Sequence, residues 1–180
     1  MKDMIMSYKE IRDSIILKER EWNNISFTNC YAYALGLDIT STLISKFDYP
    51  YIVGSFGQNL VYYKDFYNMS LEERLFLDLK ALDIDVEKVE DTVSDDKSWF
   101  IAMYEDKCDK NNQKQFHFIR MSKNGIWFHK KGLYGCISCF DTAGNMITDP
   151  KKAVFYSYNV INGKKVNCSL DGIYKLSLKK

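Results

Sequence analysis

The strongest constraint on this chain is the stretch 116–131, FHFIRMS-KNG-IWFHKK, in which two apolar runs meet at Lys123-Asn124-Gly125. Runs rich in aromatic and branched residues, joined through Asn-Gly, form an antiparallel hairpin because Asn and Gly tolerate the left-handed backbone of a tight turn. His117 and His129 are the two histidines of the protein, and they lie on the two arms of this one hairpin. A two-residue turn pairs 123 with 126 and sends the imidazoles to opposite faces, since a one-residue slip flips every side chain across the sheet. A three-residue loop at 123–125, closed by Gly125 in a left-handed bulge, pairs 122 with 126 instead. It sets both imidazoles on one face as diagonal neighbours within reach of a hydrogen bond. The second register is the functional expectation.

Around the hairpin the order is helices first and strands afterwards, which predicts an α+β fold in a single domain over 1–180. Ile5, Tyr8, Ile11 and Ile15 recur at helical spacing among charged residues, so 4–21 reads as an amphipathic helix. In SFTNCYAYALG, residues Ser26, Thr28 and Asn29 offer N-caps and Gly36 a left-handed stop, which places Cys30 in the first turn of a short helix. Residues 45–67 carry Tyr, Phe and Gly without a period and read as an irregular segment with one or two short strands. From 70 a capping box, Ser70 with Glu73, opens a helix whose apolar face is Leu71, Leu75, Leu79 and Leu82. Together these make 45–97 a helical insertion or lid. The polar stretch 83–97 reads as its connector, WFIAMY at 99–104 as a strand, 105–114 as a loop, and 153–161 and 172–178 as further strands, with a turn at Asp141–Asn145 before them.

Charge narrows the function classes. With 25 basic and 24 acidic residues the net charge is +1, so the chain lacks the electrostatic footprint of a nucleic-acid binder. The N-terminal segment interleaves charges with apolar residues, unlike a signal peptide, and no uncharged run approaches the roughly 18 residues of a membrane span. Five cysteines without such a signal read as reduced thiols of a cytosolic protein, with no membrane partner.

Cys30 is the candidate nucleophile. Cysteine attacks as thiolate, and a free thiol near pKa 8.5 is mostly protonated at neutral pH. A helix first turn and a neighbouring imidazolium both favour the thiolate, so Cys30 beside His117 would be an activated pair, with His129 orienting His117 through its other ring nitrogen. Asp141 is the alternative third member, in a triad of Cys30, His129 and Asp141 with His117 in support.

These residues also carry a resemblance. A Cys at a helix start, a His opening a strand and a second His across a tight turn resemble the NlpC-type branch of the papain-like cysteine peptidases and amidases. NCYAYALG at 29–36, FHFIRMSKNGIWFHKKG at 116–132 and DTAGNMITDP at 141–150 are similar to a bacterial group of papain-like proteins with an NCYAYA start, a hairpin ending in W-x-H-K-x-G and a following D-x-x-G-x-x-I-x-D-P. The resemblance covers those three blocks and leaves 37–115 unmatched, with a longer gap between Cys30 and His117 than NlpC-type cores have. It implies a papain-like domain, catalytic roles for Cys30, His117 and His129, a peptide or amide substrate, and no cofactor.

Taken singly, each residue has a plainer reading, because free cysteine packs as a small apolar side chain and a lone histidine is usually structural. The combination on one hairpin favours chemistry. A scaffold that kept this arrangement without turnover would be a binding or toxin-associated module, and a deamidase or acyltransferase would use the same pair. Cys136 and Cys139 form a C-x-x-C that, with Cys108 and Cys168, offers a thiolate set for zinc, although structural zinc normally pairs two close knuckles.

Overall fold

The computed structural model describes residues 28–37, 52–57, 61, 63–93, 97–106, 115–132, 135–158 and 165–179. The helix expected over 4–21 lies outside them. Among the described residues three helices, α1 (Cys30–Leu35), α2 (Tyr63–Asn68) and α3 (Leu71–Ala81), accompany seven strands: β1 (Ile84–Val89), β2 (Ser98–Asp106), β3 (Phe116–Met121), β4 (Trp127–Lys130), β5 (Ile137–Ser138), β6 (Phe155–Tyr158) and β7 (Lys165–Leu178). The strands form one antiparallel sheet in the order β1-β7-β2-β3-β4-β5, with β6 pairing β7 off that path. The fold is thus mixed α+β, as expected, and mostly strand. Among the described residues no helix is long and apolar enough to cross a membrane.

Three expectations are corrected. The end of the segment 45–67, read as irregular with short strands, is helix α2. Part of the polar stretch 83–97 is strand β1, where Ile84 is buried, Val86 half-buried, and Asp85 and Glu87 exposed. Alternation of that kind suits an edge strand with one face on the core, and the charges that made the segment look like a connector cover its outer face. The final strand runs back to Lys165 and so is twice the length read from 172–178, because β7 pairs with β1, β2 and β6 along different parts of its course. Elsewhere the local signals hold. Ser70 and Glu73 cap α3 reciprocally, and Gly36, at φ 78°, ends α1 with N–H bonds from Gly36 and Leu37 to the carbonyls of Tyr33 and Ala32.

The sheet buries both faces, and period-2 alternation sorts its residues between them. Trp99, Ile101, Met103, Phe118, Tyr174 and Leu176 pack with α1 and α3 on the helix face. Phe100, Ala102, Tyr104, Ile119, Met121, Trp127, Ile147, Phe155 and Ile173 pack on the opposite face. The helix side is tied by a buried carboxylate, Asp78 on α3. It accepts from the Tyr31 hydroxyl of α1 at 2.5 Å and from the amides of Gly54 and Gly57 at 2.6 and 2.7 Å. Burial pushes its pKa up to about 7, against the donated bonds that favour its charge.

Candidate active site

The hairpin adopts the three-residue register. Arg120 pairs with Phe128 and Met121 with Trp127, Ser122 N–H donates to the Ile126 carbonyl at 2.8 Å, and Gly125 sits at φ 82°. His117 and His129 therefore share a face, and His117 Nε2 lies 2.9 Å from His129 Nδ1. Beyond His129 the chain ends in an acceptor, since His129 Nε2 is 2.9 Å from the carbonyl oxygen of Phe140.

That carbonyl assigns every proton in the row. A carbonyl only accepts, so His129 Nε2 carries hydrogen. In a neutral ring its Nδ1 is then bare and accepts from His117 Nε2–H, which leaves the lone pair of His117 on Nδ1. Both rings stay neutral because burial is the largest influence on each. It pushes His117 from 6.5 down to about 3, helped by His129 and Lys131, and it lowers His129 against the opposing bond to Phe140. The aromatic ring of Phe155 lies against both imidazoles, with centroids at 4.4 Å from His117 and 5.2 Å from His129.

Cys30 opens α1 as expected, with the Asn29 side chain accepting from Ala32 N–H at 3.0 Å. Its surroundings differ from the expectation in two ways. The thiol is 7% exposed, and burial pushes it up to about 11 rather than down, although the amides of Phe118, Tyr31 and Cys30 itself favour the thiolate. A six-residue helix supplies too little dipole to offset that burial, and no imidazole is among the groups that act on the thiol. Secondly, Cys30 belongs to the helix-face cluster with Phe118, whereas His117 and His129 stack on Phe155 of the opposite face. The expected cleft between α1 and a histidine-bearing face is thus corrected: Phe116 and Phe118 line that side, and no hydrogen bond joins the sulfur to either ring among the described residues.

The Cys30 sulfur meets β3 at the Phe118 amide. Because Ser122 N–H points at β4, so do the amides of every second residue back along β3, including Phe118. Past Phe128, however, β4 pairs with β5, through His129 with Ser138 and Lys130 with Ile137. The Phe118 amide so faces the gap where β3 and β4 part, and it is the amide that meets the Cys30 sulfur, one residue from His117.

Asp141 does not join the row. Its Oδ1 accepts from the amides of Ala143 and Asn145 at 2.9 and 2.8 Å and its Oδ2 from Val154 N–H at 3.0 Å. Burial works against its charge, but those amides outweigh it and hold the carboxyl below its usual range. The orienting contact that the triad alternative gave to Asp141 is made by the Phe140 carbonyl instead, and a backbone oxygen has no sequence signature. Phe155 was equally invisible, being one apolar residue among many. Of the C-x-x-C thiols, Cys136 is exposed and Cys139 half-buried, Cys108 lies outside the described residues, and no three His, Cys, Asp or Glu side chains among those described gather as a metal-binding group.

No family model, curated protein or solved structure matches this chain. What it can do chemically must be read from the site.

The desolvated imidazoles set the acid stability. The unfolded chain protonates both near 6.5, while folded His117 resists until about 3, so stability present above 6.5 is lost as pH falls toward 3. Asp78 has the opposite sign: the folded state keeps a proton up to about 7 that the unfolded chain releases near 3.8, adding stability as pH falls through that window. Asp78 offsets His117 over this range, and the lowered pKa values of His129 and Asp141 tip the balance, so Tm falls between pH 6 and 4 in the native chain. In His117→Gln the fall is at most half as steep, as a thermal melt at each pH would record; an equal slope would contradict the desolvated imidazole.

Proposed function

We propose that this chain is a cysteine hydrolase of papain-like architecture, acting on a peptide or amide bond, with Cys30 as nucleophile, His117 as general base and His129 as its orienting partner. The observation that carries the reading is the one-directional row from the Phe140 carbonyl through His129 to His117, which leaves a single basic nitrogen, His117 Nδ1, on the residue next to the one whose amide meets the Cys30 sulfur. A neutral thiol and a neutral imidazole at rest favour general-base catalysis over a preformed ion pair.

In this mechanism the Cys30 thiol passes its proton through the gap to His117 Nδ1 as the sulfur bonds to the acyl carbon. The positive charge on His117 is shared with His129 through the Nε2–H bond, and amides facing the sulfur receive the oxyanion. As the carbon–nitrogen bond breaks, His117 Nδ1–H protonates the leaving amine. Water, deprotonated by His117, then splits the thioester and restores the thiol. A deamidase or acyltransferase differs only in releasing ammonia or in accepting a second nucleophile.

The burial of Cys30 favours a second reading, a scaffold that binds without turnover. Acid-quenched intact mass spectrometry separates the two. With a panel of peptides and primary amides, the hydrolase reading expects an acyl adduct on Cys30 and release of amine or ammonia, both absent in Cys30→Ala. A panel that binds yet leaves neither adduct nor product sinks the hydrolase and leaves the module.

A further inference from the structure

We propose that Asp141 is a positioning residue which, by clamping Val154, holds the Phe155 ring over the paired imidazoles and keeps water from them. Both backbone polar groups of Val154 are committed to the turn at Asp141–Asn145. Its N–H donates to Asp141 Oδ2 at 3.0 Å, and its carbonyl accepts from Thr142 N–H at 3.0 Å and from the Thr142 hydroxyl at 2.5 Å. The turn is itself rigid, because Asp141 Oδ1 takes two more amides and Asp141 N–H donates to the Asn145 carbonyl at 2.9 Å. Phe155, the next residue, opens β6, a short strand whose ladder partner is β7. Its ring is wedged between Tyr104, at 4.8 Å, and the two imidazoles, and is 3% exposed. The DTAGN motif thereby acquires a role at the site without touching either imidazole.

The catalytic consequence, a dry and neutral base, rests on the hydrolase reading, but the clamp itself does not. Histidine titration by NMR in the full chain tests it directly. The titratable groups facing His117 are His129 and Lys131, and those facing His129 are His117, Lys131 and Asp141. Removing the Asp141 charge with Phe155 still in place would lower the His129 pKa, since a carboxylate favours imidazolium. Loosening the ring admits water and raises both values toward 6.5. The two explanations therefore predict opposite signs.

Asp141→Asn is expected to raise the His117 pKa by at least one unit, with a larger rise in Phe155→Leu. Thr142→Val keeps the carboxylate and removes one bond to the Val154 carbonyl, so it should give a smaller rise and serves if Asp141→Asn does not fold. Unchanged or lowered values in the folded variants overturn the clamp. A chain with these shifts that hydrolyses nothing loses the hydrolase reading and keeps the clamp.

Discussion

Asp78→Ala is expected to lower folding stability by about 3–5 kcal/mol, read as a fall in denaturant midpoint at constant slope. The carboxylate is fully buried and gathers three donors from two separate pieces of chain: Tyr31 of α1, and the amides of Gly54 and Gly57 in the loop before α2. Removing it strands all three, and each buried donor without a partner costs roughly 1–3 kcal/mol. That loss is a large share of the 5–15 kcal/mol a domain usually has. Asp78→Asn retains one acceptor oxygen and should cost less, with one amide left facing an NH2 group. Gly57 packs directly on α3, where even a methyl group in its place would lie 2.5 Å from the Leu77 backbone. A midpoint shift worth less than 1 kcal/mol in Asp78→Ala would mean that water reaches the site.

The second large effect is on turnover. On the proposed mechanism, Cys30→Ala and His117→Ala each reduce kcat/KM by about 10^3-fold or more, and the double variant is hardly worse, since groups acting as one unit are not additive. His129→Ala keeps the base but frees its tautomer, so a loss of roughly 10^2-fold is expected. The pH profile carries independent information. With His117 neutral above about 3 and the thiol protonated below about 11, kcat/KM should stay level between pH 5 and 9. A bell centred near neutrality would instead require an ion pair and would contradict the burial of both groups. Additive losses in the double variant would separate Cys30 from His117 altogether.

Much of the site's local geometry was legible because it rests on short-range rules. Asn29 caps α1, Gly36 ends it, Ser70 and Glu73 cap α3, and Gly125 closes the loop that puts His117 and His129 on one face. Each depends on backbone needs that a few neighbouring residues satisfy. The strand β1 escaped notice for the converse reason: its charges are the outer half of an alternating pattern whose inner half is only Ile84 and Val86.

What the sequence determined by itself was the hairpin and the two registers open to it, of which only the three-residue loop lets the two imidazoles meet, because the turn sets pairing for the strands it joins. Tertiary structure alone decided which side of the sheet each candidate occupies and what charge it bears. Helix α1 docks on Phe118 rather than on His117, β4 leaves β3 for β5 and opens the gap between them, and Phe155 arrives from a distant strand to dry the rings. Burial is a property of everything packed around a group, so no reading of neighbours in the chain foretells that a thiol will sit near 11 and an imidazole near 3.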